Sequence, residues 1–384
     1  MKDIFKILKK KVYSIGLMSG TSLDGIDVAL VEHYKNNHKL IDFRSYEYPL
    51  SLKERIMEVS KLETSNIQLV CSVNKELGLA YTKAIEQFLI DTNRSIDDIY
   101  FISNHGQTVW HNPIETNEFK SSTLQLGDAS TIAYHFNKIV VYDFRSLDIS
   151  AGGIGAPLVP IVNYLLFKDK ASVIFLNIGG ISNITYIKDQ NIENVIAFDT
   201  GPGNMVIDAL MKELYNLPYD DEGKIASSGK VSKELLDYLL TDDYYNLDYP
   251  KSTGREKYSQ EYISNLLNKA KELSLSNEDI ITTTTYLTGY VTKYQIKKLF
   301  KDFKGTLIVS GGGAKNKFII ETLKDPQYIV KESIEENINS DGLEAYSFSV
   351  LGYLRLTNQI SNLKNVTGAN TSVSLGSIIL PPRV

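Results

Sequence analysis

The sequence predicts an α/β fold of two domains, each opening on a strand, a polar glycine turn and a second strand. Three observations predict it. The chain has 384 residues, more than the roughly 250–300 at which a single hydrophobic core stops growing. The stretches "GLMSGTSLDGIDVAL" (16–30) and "SVIFLNIGGISNITYI" (172–187) share one plan, a β-like run interrupted by glycine and hydroxyl residues. Through both halves β-like runs alternate with helical spacing. The shared plan points to a duplicated fold, although no repeat is detectable by residue identity.

The elements follow in order. "YSIGLM" and "IDVALVEH" read as strands, the second alternating Ile26, Val28 and Leu30 against Asp27 and Ala29, with a hairpin through "SGTSLDG". From about Asn66 to Ile90 the spacing of Ile67, Val70, Leu77, Ala80, Ala84 and Phe88 predicts a helix. "IYFISNHG" and "IVVYDF" read as buried strands. "NVIAFDTGPGN" ends a strand in a glycine turn and leads into the helical pattern of Met205, Ile207, Leu210 and Leu214. In "SNEDIITTTTYLTGYVTKYQIKKLF" two rules conflict. The threonine run favours a strand, whereas the Ser276/Asp279 cap pattern and the spacing of Ile280, Leu287, Val291 and Tyr294 favour a helix. The length decides for the helix. "TLIVSGGGAKN" is a last strand and glycine turn before helical "KFIIETL". The domains are expected at residues 1–138, with about 370–384 packing back on them, and 139–369.

Composition narrows the partners. A hydrophobic fraction of 43% and a charged fraction of 23% are those of a globular protein. A net charge of −5 supplies no basic face for nucleic acid, and the isolated "KILKKK" near the N-terminus reads as a solvated leader. Ser14, Gly16 and Ser19 interrupt the apolar region that a secretory signal would need. No run reaches the ~20 apolar residues of a membrane span. The single Cys71 excludes an internal disulfide. The expectation is a cytoplasmic protein with neither membrane nor nucleic-acid partner.

Four glycine turns carry the chemistry. Predicted strands end at Gly20, Gly179, Gly201 and Gly311, and backbone without Cβ atoms can approach a ligand and offer consecutive N–H groups to an anion. Hairpins and helix caps also use such turns. The pattern G-x-x-x-x-G-K-[ST] is absent, and no G-x-G-x-x-G opens a helix after the first strand. What remains is a nucleotide cleft between two halves, each presenting a hairpin turn to the phosphates, the arrangement of the actin-like (ribonuclease H-like) ATPase and sugar-kinase fold.

The blocks "GLMSGTSLDGIDVAL", "SNHGQTVWH", "DFRSLDISAGG", "GAPLVP", "LNIGGISN", "FDTGPGNMVID", "KSTGRE" and "SGGGAKN" together resemble the anhydro-N-acetylmuramic acid kinases, in the expected order from about residue 15 onward. The resemblance implies a two-domain actin-like kinase that uses ATP, Mg²⁺ and water to open a 1,6-anhydro sugar and phosphorylate its O6. The product would be N-acetylmuramate 6-phosphate, in murein sugar recycling, and a homodimer is expected.

The same resemblance distributes roles. Asp199, before "TGPGN", corresponds to the catalytic base; a carboxylate suits proton removal from water, while helix capping is the structural alternative. Glu344, in "DGLEAYSF", corresponds to a glutamate that positions substrate and water; on its own it is a first-turn carboxylate suited to the helix dipole. Gly20, Thr21, Ser22, Leu23, Asp24, Gly25, Ile26 and Asp27 correspond to the first ATP-binding segment, with Gly179, Gly180, Gly201, Gly203, Gly311, Gly312 and Gly313 completing the nucleotide contacts. Asp24 either holds magnesium through water or closes an Asx turn. His105, Gln107, Arg145 and Asp148 are candidate sugar contacts, since Arg pairs with carboxylates such as a lactyl group. His105 and His111 do not form a metal site, having no third ligand. Where the family has "GGQG" this chain has "GGIG", and Ile154 removes a donor and an acceptor. Two alternatives stand beside this reading: a kinase for another 1,6-anhydro sugar such as levoglucosan, and a sugar sensor of the same fold without turnover.

Overall fold

The computed structural model describes residues 10–20, 23–170, 172–254 and 256–382. Thr21 and Ser22 of the first turn and most of the basic N-terminal run lie outside them. The strands are β1 (Val12–Ser19), β2 (Ile26–Tyr34), β3 (Asn37–Tyr46), β4 (Ile99–Asn112), β5 (Ser122–Leu126), β6 (Ile139–Tyr142), β7 (Val173–Ile178), β8 (Ile181–Ile187), β9 (Ile196–Pro202), β10 (Thr306–Ser310), β11 (Ile329–Glu332) and β12 (Ser377–Ile379).

Two compact units emerge: residues 1–165 with 342–384, and residues 166–341. The expected boundaries, after residue 138 and after residue 369, are therefore corrected. β6 belongs to the first sheet because it pairs with β4, and the helix Leu343–Leu356 lies on β1, β2 and β4. The chain end does return to the first unit, where β12 pairs antiparallel with β6.

Each unit is a sheet of one topology. In the first, the order is β12-β6-β4-β1-β2-β3; β1, β2 and β3 form an antiparallel meander, and β4 and β6 run parallel to β1. In the second, the order is β11-β10-β7-β8-β9, with β7, β8 and β9 antiparallel and β10 and β11 parallel to β7. The duplication expected from the two glycine hairpins is thus present as strand order and direction. Each unit has its own apolar core, one including Ile15, Val28, Leu77 and Phe88, the other Ile174, Leu176, Leu210 and Leu287.

Local sequence explains the elements that position the site. Helix Leu343–Leu356, buried on nearly every face, approaches the first sheet closely because Gly16 has no Cβ; one there would lie 2.0 Å from the Ala345 carbonyl oxygen. Ser103 Oγ donates to the Phe348 carbonyl at 2.5 Å, fixing the helix that carries Glu344. The threonine-rich segment forms the helix Asn277–Leu299, with Ser276 capping Asp279 N. Thr283 and Thr284 satisfy their hydroxyls on the carbonyls of Asp279 and Ile280 one turn back, so β propensity yields to a buried helix.

Candidate functional site

In the first unit the register between β1 and β4 shifts beside the expected residues. Leu17 pairs with Asn104 and Ser19 with Gln107, leaving one extra residue on β4. Gly106 absorbs it at φ +79°, and a bulge of this kind re-aims its neighbours. Gln107 Nε2 then donates to the Gly20 carbonyl (3.2 Å), and its Oε1 accepts from the Tyr48 hydroxyl at a long 3.4 Å. The Leu23 N–H closes on the same Gly20 oxygen (3.1 Å). Gln107, expected as a sugar contact, thus uses its buried amide to hold the first turn.

The assignment of Asp148 to the sugar is corrected. It is fully buried, and its oxygens accept from Gly155 N (2.9 Å), Asn362 Nδ2 (2.7 Å) and Thr367 Oγ1 (2.8 Å). Those bonds fasten the loop "AGGIG" to the segment that follows helix Leu343–Leu356. Ile154 lies in that loop, its N–H donating to the Thr367 carbonyl (2.8 Å).

His105 is buried against Phe348, with ring centroids 4.3 Å apart. Arg145 Nε donates to His105 Nε2 (3.0 Å), and Nη1 donates to the Gly155 carbonyl (2.8 Å). Burial, helped by the Arg145 charge, holds the imidazole well below its ordinary pKa, so it is a neutral acceptor. His105 thus sets the direction of Arg145. Burial also lowers the guanidinium to about 10, against the opposing charges of Glu344 and Asp148; it stays charged at neutral pH. Glu344 is open to solvent, yet the protein around it, with Asp27 adding and Arg145 opposing, raises its carboxyl above the ordinary range. Asp24 is an exposed carboxylate in the first turn, and Asp27 opens β2.

The second unit places a bulge at the corresponding level of importance. Ser182 pairs with Gly201 and Asn183 with Asp199, so Thr200 is the extra residue on β9. It is anchored on both sides, its hydroxyl donating to the Ser182 carbonyl (3.1 Å) and its carbonyl accepting from Gln295 Nε2 (2.7 Å). Beside it, Asp199 Oδ2 accepts the Thr253 N–H at 2.9 Å. Burial pushes the Asp199 carboxyl up to about 6; the Thr253 N–H opposes this and Glu256 adds to it. A carboxyl poised there accepts protons at neutral pH.

The glycines divide into two groups. Gly311 has φ +80°, and a Cβ there would lie 2.6 Å from the Ile178 carbonyl oxygen; Gly313 packs as tightly against Ile178, and Gly201 against the Tyr245 ring. At the start of helix Asn204–Tyr215 the N–H groups of Gly203 (2.9 Å) and Met205 (3.2 Å) donate to the Gly180 carbonyl, and that of Asn204 (2.8 Å) to the Gly179 carbonyl. Gly203 is therefore corrected from an anion-binding position to a packing one, because its N–H is spent inside the protein. Gly179 and Gly312 differ: a Cβ at Gly179 would make only ordinary contact, at 3.6 Å, and one at Gly312 would meet nothing but the Asn204 side-chain amide, at a tighter 3.3 Å, so no backbone closes over either. Gly312 lines a groove of about 660 Å³ together with Asn204, Ile207, Asp208, Lys315 and Asn316, among others.

Sequence reasoning missed the surroundings of Asp199, namely Tyr244, Lys251 and Thr253. The only available signal was the unassigned block "KSTGRE". Among the described residues no group of three or more His, Cys, Asp and Glu could hold a metal ion, and no described helix is long and apolar enough to cross a membrane.

Two α/β units of one strand order, glycine turns at their strand ends and a half-buried carboxylate raised to about 6 form the frame of a two-unit kinase. The family model described as "Anhydro-N-acetylmuramic acid kinase" matches residues 12–381, and the chain belongs to that family. Relatives bearing that name are 43% identical in Clostridioides difficile (97% of this chain, 99% of that protein) and 44% identical in Francisella tularensis subsp. novicida (95% and 98%). A relative in Bacillus cereus is 39% identical (97% and 100%). Among solved structures, the activator of the 2-hydroxyisocaproyl-CoA dehydratase from Clostridium difficile with bound ADPNP aligns over 88% of this chain and 95% of that one. Its TM-score is 0.43 and its identity 11%, too distant to add to the family assignment.

Proposed function

We propose that this kinase acts on 1,6-anhydro-N-acetylmuramic acid, opening the anhydro ring with water while the γ-phosphate of ATP is transferred to O6. Water attacks C1, the C1–O6 bond breaks, O6 takes the phosphoryl group, ADP leaves, and Asp199 receives the water proton. The products are N-acetylmuramate 6-phosphate and ADP. The observation that carries this reading is Asp199 itself, a carboxyl with Oδ2 held by the Thr253 N–H and raised by burial to about 6. Arg145, aimed by His105, supplies the positive charge for the sugar's lactyl carboxylate. Bare backbone at Gly179 and Gly312 and the adjoining groove suit the phosphates and the nucleoside. Asp24 and Asp27 are hard oxygen donors of the kind that suits a magnesium ion travelling with the triphosphate. Cytoplasmic murein sugar recycling and a homodimer complete the proposal.

Asp199→Asn tests it, because Asn keeps the shape and the acceptor oxygen but not the proton affinity. General-base loss is worth ~10²–10⁴-fold, so kcat should fall by that much while ATP and sugar bind within a few-fold of the unmodified protein. Turnover in ¹⁸O-water should label C1 of the sugar. Near-normal turnover would falsify the base assignment, and label in the phosphate would overturn the coupled ring opening.

A further inference from the structure

Within the block "KSTGRE", Lys251 and Thr253 lie against Asp199, and the proposed reaction gives the Lys251 side chain no part. Backbone here meets Asp199 twice, once at the carboxylate and once at its main chain: Thr253 N donates to Oδ2 (2.9 Å), and the Lys251 carbonyl accepts the Asp199 N–H at 3.3 Å. A backbone segment makes such contacts only while something holds it in place, and Lys251 is suited to do so. Its half-buried ammonium donates to the Tyr244 carbonyl (3.0 Å). The same nitrogen sits 4.7 Å from the Tyr244 ring centroid and 5.5 Å from that of Phe198, the neighbour of Asp199 on β9. Tyr244 closes the circuit, its hydroxyl donating to the Asp199 carbonyl oxygen at 2.8 Å. Lys257, paired with Asp242 (2.8 Å), approaches the same ring at 5.5 Å. A cation shared by two aromatic faces and a carbonyl is a directional restraint.

We propose that Lys251 is a positioning residue for Asp199, acting through Tyr244 and the Thr253 N–H to keep Oδ2 occupied and the carboxylate aimed. The proposal rests on the reading of Asp199 as base. Loss of the ammonium frees the segment, and a displacement near 1 Å costs on the order of 10²-fold in rate. Freed of the Thr253 N–H, which favours its charged form, the carboxyl titrates higher, and the acidic limb of the rate profile moves to higher pH. The other charged groups around it, Glu256, Lys257 and Asp242 with Lys298 and Asp248 beyond Lys251, are unchanged by the substitution.

The test compares Lys251→Met and Lys251→Arg in the full chain with ATP, Mg²⁺ and 1,6-anhydro-N-acetylmuramic acid. Lys251→Met should lower kcat about 10- to 100-fold, leave both KM values within about threefold, and shift the acidic limb upward. Lys251→Arg, which keeps a cation that can lie over both rings, should restore kcat and the limb. A Lys251→Met enzyme with an unmoved limb and near-normal kcat, or an equal loss in the Arg variant, overturns the proposal. If Lys251→Met does not fold by circular dichroism, Tyr244→Phe decides: it keeps the ring but not the hydroxyl, and an unchanged kcat and limb there overturn the proposal equally. Asp199→Asn is run alongside. Near-normal turnover in that variant removes the base reading itself, whereas its loss beside an unaffected Lys251→Met removes only the role of Lys251.

Discussion

The two units share strand order but anchor their first hairpin turns differently. Between β1 and β2 the turn carries side chains, including Asp24, and is held by a side chain from another strand, Gln107 on the Gly20 carbonyl. Between β7 and β8 the turn is Gly179 and Gly180 alone, and it is held by backbone, since its carbonyls receive the first N–H groups of helix Asn204–Tyr215. One topology thus tolerates two fastening methods, and they fail differently. A side-chain anchor can be removed with the backbone left intact, whereas a backbone anchor is broken only by displacing the chain.

The largest effect expected is on the backbone anchor. In Gly203→Ala the new Cβ would lie 2.3 Å from the Gly179 carbonyl oxygen, and neither backbone segment can yield as a flexible side chain would. A loss of about 3 kcal/mol is expected, read as a fall in melting temperature of about 6–12 °C for a unit of this size. An unchanged melting curve would show that the turn and helix are not locked together.

The side-chain anchor should give a smaller effect of another kind. Gln107→Ala frees the Gly20 carbonyl and leaves the β4 bulge in place, so stability should fall by only about 1 kcal/mol. The first turn, however, loses its orientation, and the KM for ATP should rise about tenfold, equivalent to ~1.4 kcal/mol. If stability collapses while the KM is unchanged, Gln107 belongs to the core and not to the turn.

The positions of the glycine turns were legible because glycine and hydroxyl residues cluster where strands end, a local property. The bulges at Gly106 and Thr200 were not, because a bulge exists only relative to a partner strand. The roles of Gln107 and Asp148 were hidden for the same reason. Gln107 bonds a carbonyl 87 positions earlier, and Asp148 is held by Asn362 and Thr367, 214 and 219 positions later. Asp199 was visible through its motif, but the elements that tune it come from Tyr244 and from Lys251 to Thr253, brought close only by the fold. The unit boundary was misread because the apolar helix Leu343–Leu356, buried on nearly every face, carries no sign in its sequence of the sheet it covers.

The smallest effect separates the two carboxylates by the size of a stabilisation. Asp199 is half-buried, and that burial, with Thr253 opposing and Glu256 adding, moves it from 3.8 to about 6. Glu344 is also raised, but it is open to water. A carboxyl whose folded pKa lies above its unfolded value makes the fold bind protons more tightly than the unfolded chain does. Stability is then greatest below the unfolded value and is lost as pH rises through the folded one. For Asp199 that window runs from 3.8 to about 6, so at pH 7 the whole cost is present. The shift corresponds to about 3 kcal/mol, and partial access of water reduces this to on the order of 1 kcal/mol. Asp199→Asn removes the charge while Asn Oδ1 can still accept the Thr253 N–H, so at pH 7 that variant should melt about 2–4 °C higher. At pH 4 the difference should shrink towards zero, because the unmodified carboxyl is then protonated in the fold. Glu344→Gln should show no comparable gain at either pH, since water already solvates that charge. A stabilised Glu344→Gln with an unaltered Asp199→Asn would reverse the contrast and place the desolvated carboxylate in the first unit.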